Sequence, residues 1–421
     1  MEKENRPWMD PQKSAGERAD LLLREMTLKE KTGQLNQRLY GFRIYDRKND
    51  AVTLKDEFYK EVENCEGLGA LYGLYRSDPW SERDYENGLC GETAIKLYNE
   101  IQKYVMEHSR LQIPVIMSSE CPHGHQALDG YLLPVNLAAG ATFHPEILQE
   151  GYLVCGRQLK SMGAHLALCS MLDMLRDPRW GRSEECYGED PFLSGRMASA
   201  AITGLQEGGV QVVAKHFAAQ GESTGGVNAS AARIGEHELR EIHLPAMQSA
   251  VKAGVRGVMA AYNEIDGIYC HANRKLLTEI LRDEFDFDGI VMADALAMDQ
   301  LDKMTGDGTV SAGLALRAGV DMGLLDEAYS HLEEAVEKGL ITEDEIDQAV
   351  HRVLKLKFEA GIFEHPYVEE KAIPGFSYEE YPESLTLARE SVILLKNRGL
   401  YTSCQGKGRY YCLSGNLWAL S

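Results

Sequence analysis

The sequence predicts an α/β chain whose parallel strands close into a (β/α)8 TIM-like barrel. Three observations predict it. Short apolar runs alternate with longer helical patterns from about residue 20 to 365. The runs lack a strict two-residue alternation, as expected of strands buried on both faces. Seven or eight strand-then-helix units over about 340 residues suit a closed barrel better than an open doubly wound sheet.

The runs are residues 67–72, 113–118, 165–170, 210–214, 257–261, 289–293 and 321–325, each rich in Val, Ile, Leu, Ala or Met. Between them lie amphipathic patterns. Leu148, Tyr152, Cys155, Leu159 and Met162 step by 4, 3, 4 and 3 and so share one helical face. Leu239, Ile242, Ala246 and Ala250 do the same, with Pro245 expected to kink the helix. Thr27 with Glu30, and Thr342 with Glu345, have capping-box spacing. Residues 1–375 therefore read as a barrel domain. Residues 376–421 read as the start of a linker with an aberrant tail and no complete second domain. The last 25 residues contain no Asp or Glu but two of the nine Cys and three Tyr. A patterned, acidic chain turning acid-free reads as a shifted reading frame, with a divergent natural tail as the alternative, and a shifted frame predicts an exposed apolar patch near the rim and a poorly ordered tail.

Composition excludes several roles. With 44 basic against 65 acidic residues the net charge is −21. Neither a nucleic-acid backbone nor an anionic membrane surface suits that balance. No stretch of 18 apolar residues occurs, so no transmembrane helix is expected. The first residues are polar and lack the apolar core of a secretory signal, which implies a cytoplasmic protein. Nine scattered cysteines without a C-x-x-C pair read as reduced, mostly buried thiols.

Polar residues that follow buried strands carry weight, because barrel sites lie at the C-terminal strand ends. Five such ends deliver Glu120 and His123; Asp173 and then Arg182; Lys215 and His216; Tyr262; and Asp294. The set mixes carboxylates, fixed cations and imidazoles. It holds no nucleophilic Ser or Cys with an obvious base, no Gly-rich phosphate loop and no zinc-type His pair, so neither a cofactor nor a metal is expected. Carboxylates that accept from hydroxyls, beside Lys and Arg that donate to them, suit a neutral polyhydroxylated ligand.

At these residues the chain resembles glycoside hydrolase family 3. The resemblance rests on Arg176-Asp-Pro-Arg-Trp-Gly-Arg182 with Glu189-Asp190-Pro191, on Lys215-His216-Phe217, on Ala261-Tyr-Asn263, and on the run from Gly289 to Asp294. It extends to the opening Leu21-Leu-Leu-Arg-Glu-Met-Thr-Leu-Lys-Glu-Lys31 and covers about residues 15–397. It implies a (β/α)8 barrel, normally followed by an α/β sandwich domain, and a retaining, exo-acting β-glucosidase-like hydrolase working on an oligosaccharide or β-glycoside. Residue by residue, it implies Asp294 as catalytic nucleophile. Glu120 matches the acid that binds sugar hydroxyls, and Arg182, Lys215, His216 and Tyr262 match the surroundings of the reacting sugar. Lys215 and Arg182 would favour the ionised form of Asp294. The chain departs from the family pattern in two places. Ala293 and Ala295 flank Asp294, where the family has Ser and an aromatic, and Glu120 stands where Asp is usual. Two-domain members draw the acid/base Glu from the second domain, and the Asp-Ser-His triplet of the hexosaminidase branch is absent here. Glu222 is then the first in-barrel acid to consider. The other readings are an inactive, truncated sugar-binding fragment, and a Schiff-base lyase with Lys215 as the covalent amine.

Overall fold

The computed structural model describes residues 6–369, 376 and 378–396. Six parallel strands form one curved sheet: β1 (Ala70–Tyr72), β2 (Ile116–Glu120), β3 (Leu166–Ser170), β4 (Gln211–Phe217), β5 (Gly257–Ala260) and β6 (Ile290–Met292), paired in chain order. Each overlaps a run expected from sequence. The expected run at 321–325 forms no regular strand but bridges β6 in parallel through Met292 and Met322.

The eighth stave is residues 35–40, which follow helix Leu28–Gln34 and close the ring. The Gly323 N–H donates to the Leu35 carbonyl at 3.0 Å, the Leu325 N–H to that of Gln37 at 2.8 Å, and the Gly69 N–H to that of Gly33 at 3.2 Å. A parallel bridge joins Tyr40 to Tyr72. The seam is so tight that a Cβ on Gly69 would meet the Gln34 carbonyl oxygen at 2.1 Å. This stave carries no apolar run because buried amides fill it. Gln37 accepts from the Ser118 hydroxyl at 2.7 Å, and Asn36 donates to the Thr32 carbonyl at 2.8 Å. The adjoining Gln34 accepts from the fully buried Lys357 ammonium at 2.6 Å, and Lys357 also reaches the Pro114 carbonyl at 2.8 Å. Lys357 thereby plugs the N-terminal mouth of the barrel, opposite the strand ends that carry the candidate chemistry.

Helices wrap the ring, and the core is the interior-facing Val, Ile, Leu, Met and Ala of the strands with the inner faces of those helices. Helix Pro145–Ser161 buries Leu148, Tyr152, Cys155 and Leu159, the face that the spacing marks. Both expected capping boxes form, at Thr27 and at Thr342. One expectation is corrected: Leu239 to Ala250 is not one kinked helix. A π-type segment, Leu239–His243, ends there, and a new helix, Pro245–Lys252, starts with Pro245 at its first position, where a missing N–H costs nothing. The seven described cysteines are all free, and six are buried. No helix among the described residues is long and apolar enough to cross a membrane.

Helix Glu383–Glu390 docks on the barrel through the buried Leu387 and a 2.7 Å hydrogen bond from Ser384 Oγ to the Leu132 carbonyl. Val392, Ile393, Leu394 and Leu395 follow it as a consecutive exposed apolar run. The acid-free tail, 397–421, lies outside the described residues.

Of the five histidines buried among the described residues, three have pKa values pushed well down by burial. Burial pushes His165 and His271 down to about 3 and His125 to about 4. A histidine with a depressed folded pKa leaves stability intact above its unfolded value of about 6.5 and erodes it as pH falls toward the folded value. Each should therefore cost roughly 2 kcal/mol at pH 5 relative to pH 7.5. Urea unfolding at the two pH values tests this with His165→Asn, which retains an acceptor for the Met117 N–H bound at 3.0 Å. The variant should lose about 2 kcal/mol less than the parent between those pH values. An identical loss would contradict the account.

Candidate active site

A cavity of about 340 Å³ opens at the C-terminal ends of the strands, at the small end of the range for ligand sites. Of the six residues singled out from sequence, Glu120, Arg182, Lys215, Tyr262 and Asp294 line it directly. His216 lies just behind Asp294. The cavity is polar, with four carboxylates (Glu120, Glu184, Glu185, Asp294) and three cations (Arg76, Arg182, Lys215) on its wall.

Strand β2 ends on Glu120. Its Oε2 accepts from Lys215 Nζ at 2.7 Å, and its Oε1 accepts from the Tyr72 hydroxyl at 2.8 Å and from Arg76 at 3.4 Å. Burial alone would raise the Glu120 pKa, but the charges of Lys215 and Arg76 and these hydrogen bonds hold it below the usual carboxylate range. The same surroundings raise Tyr72 well above an ordinary phenol, first through burial and then through the charge on Glu120. Lys215 and His216 sit inside β4, where the sequence suggested that they follow it. The strand extends to Phe217, so both side chains are buried and set by the sheet itself.

His216 orders the floor. Its Nδ1 meets Asp173 Oδ2 at 2.7 Å, and its Nε2 meets Arg182 Nη2 at 3.0 Å. A guanidinium only donates, so Nε2 accepts and the ring proton lies on Nδ1, toward Asp173. Asp173 is thus a partner of His216 and not a wall residue. Arg182 is in turn forked onto Glu185, at 2.7 and 2.8 Å. Burial opposes the charge on Glu185, yet the Arg182 bonds hold that carboxyl far below its ordinary range.

Asp294 is two residues beyond β6 and buried. Its backbone N–H donates to His271 Nε2 at 3.1 Å, and its Oδ1 accepts from the Ala295 N–H at 2.8 Å. Among the described residues Oδ2 has no hydrogen-bond partner of good geometry, although the Tyr262 phenol stands close enough to interact with the carboxylate. The nearest imidazole nitrogen, His216 Nε2, is 3.6 Å away and carries its lone pair there, so it offers no proton. Lys215 is paired with Glu120, and the nearby cation whose charge interacts with that of Asp294 is Arg182. The Tyr262 phenol is raised in pKa, first by burial and then by the negative charge of Asp294.

The remaining sequence candidates fall into place or drop out. His123 lines the cavity and hydrogen-bonds the Leu133 carbonyl through Nδ1 at 3.1 Å. Arg176 binds Glu222 and Glu238, while Arg179 pairs with Asp177, so these brace the loop. Glu222 is taken up by Arg176 at 3.0 Å and His243 at 3.5 Å and does not line the cavity. It is therefore not the in-barrel acid. The carboxylate that does stand on the wall, exposed and with no cation in ion-pair range among the described residues, is Glu184. Sequence reading also missed Tyr72, Arg76 and Trp80. A signal existed: they end or follow the first apolar run, one of the two strand ends left unsurveyed. His271 gave no signal, since it lies in a short helical turn, Cys270–Ala272, after a small hairpin outside the barrel sheet.

Fold and site together define a (β/α)8-barrel protein with a carbohydrate-type polar cavity at its C-terminal rim. The family model described as "Glycosyl hydrolase family 3 N terminal domain" matches residues 27–356, and the chain belongs to that family. A putative beta-xylosidase of Formosa agariphila is 33% identical over 399 residues, covering 90% of this chain and 51% of that protein. A periplasmic beta-glucosidase of Salmonella typhimurium is 30% identical, covering 90% of this chain and 47% of that protein. Among solved structures, a beta-glucosidase of Erythrobacter marinus superposes with a TM-score of 0.84 at 29% identity, covering 94% of this chain and 52% of that one. One of Listeria innocua, bound to isofagomine, gives 0.78 at 29% identity, covering 91% and 52%. The chain spans about half the length of the relatives it matches.

Proposed function

We propose that this barrel is the nucleophile-bearing part of a retaining, exo-acting β-glycosidase that removes terminal glucose or xylose units. The observation that carries this reading is Asp294 Oδ2. It is a buried carboxylate oxygen with no well-aligned donor among the described residues, just beyond a strand end, facing a polar cavity. In the reaction it attacks the anomeric carbon from one face, forming a glycosyl ester as the C–O bond to the leaving group breaks. An acid protonates the departing oxygen. Water then attacks the ester from the opposite face and returns the carboxylate, so two inversions give net retention. Glu120, held ionised between Lys215, Arg76 and Tyr72, accepts from sugar hydroxyls, and Arg182 and Lys215 donate to them. The names of the relatives, beta-glucosidases and beta-xylosidases, support this substrate class. So do the glucose and laminaribiose complexes of the Listeria innocua enzyme.

The Schiff-base reading requires Lys215 to leave Glu120, to which it is paired at 2.7 Å in a buried site, so the geometry favours the carboxylate nucleophile. The test is proton NMR during hydrolysis of nitrophenyl β-glucoside and β-xyloside. The β-anomer of the free sugar should appear first and then mutarotate. An α-anomer as first product would exclude the double displacement. Sugar binding without any turnover would favour a binding fragment.

A further inference from the structure

We propose that Asp326 and Asp299 are positioning residues that form a reciprocal carboxylate brace. The brace fixes the turn carrying Asp294 to the neighbouring strand end and so sets the nucleophile's line of attack; this rests on the glycosidase reading above. Asp326 does not line the cavity and is 1% exposed, so it acts through the backbone. Its Oδ1 accepts from the Met298 N–H at 2.8 Å and the Asp299 N–H at 3.2 Å, and its Oδ2 accepts from the Leu324 N–H at 3.1 Å. Asp299 answers from the other side. Its carboxylate accepts from the Glu327 N–H at 3.1 Å and from the Ala328 N–H at 2.9 Å. Between them the Leu296 N–H, two residues past the nucleophile, donates to the Leu324 carbonyl at 2.9 Å. Segments 294–299 and 324–328 are thus tied to one another from both sides, and each contributes one residue, Ala295 and Leu324, to the cavity wall.

Both segments are held against their own preferences. Leu296 and Leu325 sit in the left-handed region, at φ 60° and 64°. A bulky side chain is unfavourable there, and such strain persists only where the surroundings enforce it. The Ala297 N–H closes on the Asp294 carbonyl at 3.0 Å, so the strained Leu296 lies inside the turn that aims the nucleophile. The well-aligned side-chain bond of Asp294 is to the Ala295 N–H of the same turn, so the carboxylate takes its direction from that backbone. Burial and the charge of Asp299 push the Asp326 carboxyl well above the ordinary carboxylate range, so the brace is kept against its own electrostatics.

The experiment compares the parent chain with Asp326→Ala, Asp326→Asn, Asp299→Ala and, as a control for stability alone, Thr342→Ala. Each is measured by hydrolysis of dinitrophenyl β-glucoside and β-xyloside, by inactivation with a 2-deoxy-2-fluoro β-glycoside, and by circular dichroism melting. Asp326→Ala should lower kcat and the first-order inactivation constant by on the order of 10²-fold, the cost of a reacting group misplaced by about 1 Å. The dissociation constant of the inactivator should stay within about threefold, since the sugar-binding groups are untouched. Asp326→Asn keeps an oxygen for the Met298 and Asp299 N–H groups and should regain most of the rate. The half-buried Asp299→Ala should show the same signature at about tenfold. Thr342→Ala, which loses only a helix cap, should melt lower and keep the parent's kcat. If Asp326→Ala does not fold, Asp299→Ala and Asp326→Asn decide. A folded Asp326→Ala or Asp299→Ala with the parent's inactivation constant overturns the proposal, as does a loss that falls on binding instead of on rate. A parent that is neither labelled nor active removes the glycosidase reading and the brace's role with it. A labelled parent whose brace variants react as it does removes the brace alone.

Discussion

Asp294→Ala is expected to lower hydrolysis of an aryl β-glycoside by on the order of 10⁴–10⁶-fold, the range seen when a covalent nucleophile is removed. It should also abolish labelling by a 2-deoxy-2-fluoro β-glycoside. In that reagent the fluorine slows both formation and breakdown of the ester, and an activated leaving group restores only formation, so a mass increase accumulates on the peptide that contains residue 294. The effect should be chemical and not structural. Asp294 Oδ1 accepts one hydrogen bond, from the Ala295 N–H, and the backbone link to His271 survives the substitution. Losing that one side-chain bond costs about 1 kcal/mol of stability. A further readout separates a nucleophile from a structural aspartate. The space left by the carboxylate faces the anomeric carbon, so added azide should restore turnover in Asp294→Ala and give the inverted glycosyl azide. A mass shift that survives in the variant, or that maps to another peptide, would show the assignment to be wrong.

The legible parts of the fold were those whose burial is apolar. Six runs became strands because both of their faces meet hydrocarbon, and the pattern of Val, Ile, Leu, Ala and Met records this directly. The stave at 35–40 was illegible for the opposite reason. Gln37 and the adjoining Gln34 are buried and accept from Ser118 and Lys357, Asn36 is buried and donates to the Thr32 carbonyl, and a buried, hydrogen-bonded amide looks like a loop residue in sequence. The site divides in the same way. Glu120 and Asp294 stood out because each follows an apolar run. Glu185, His271 and Arg76 act through the residues they hold, and pairings such as Arg182 with Glu185 or Asp294 with His271 exist only once loops from different strands meet at one rim. The resemblance supplied the role of Asp294. The geometry supplied the reason that its Oδ2 receives no proton from His216, which is the Nδ1 proton of that ring being committed to Asp173.

This chain is expected to cleave glycosides with good leaving groups far better than those with poor ones. A retaining mechanism places a carboxylic acid about 5–5.5 Å from the nucleophile to protonate the departing oxygen. The cavity offers few candidates. Glu120 is held ionised by Lys215 and Arg76, and Glu185 by Arg182, so neither has a proton to give near neutral pH. Glu222 is bound to Arg176 and His243 away from the cavity. We infer that the acid comes from outside the described barrel, as the family resemblance implies. General acid assistance is worth on the order of 10²–10⁴-fold. That factor should be missing from the cleavage of cellobiose or laminaribiose, whose leaving alkoxide needs the proton, and nearly absent as a loss with dinitrophenyl β-glucoside, whose phenolate leaves unaided. A plot of log kcat/KM against leaving-group pKa should therefore be steep. Adding a relative's second domain in trans, or extending the chain by one, should flatten it. If this chain cleaves cellobiose as readily as dinitrophenyl glucoside, an acid lies within it. Glu184, the unpaired carboxylate on the cavity wall, is then the residue to replace, and Glu184→Gln should make the plot steep again.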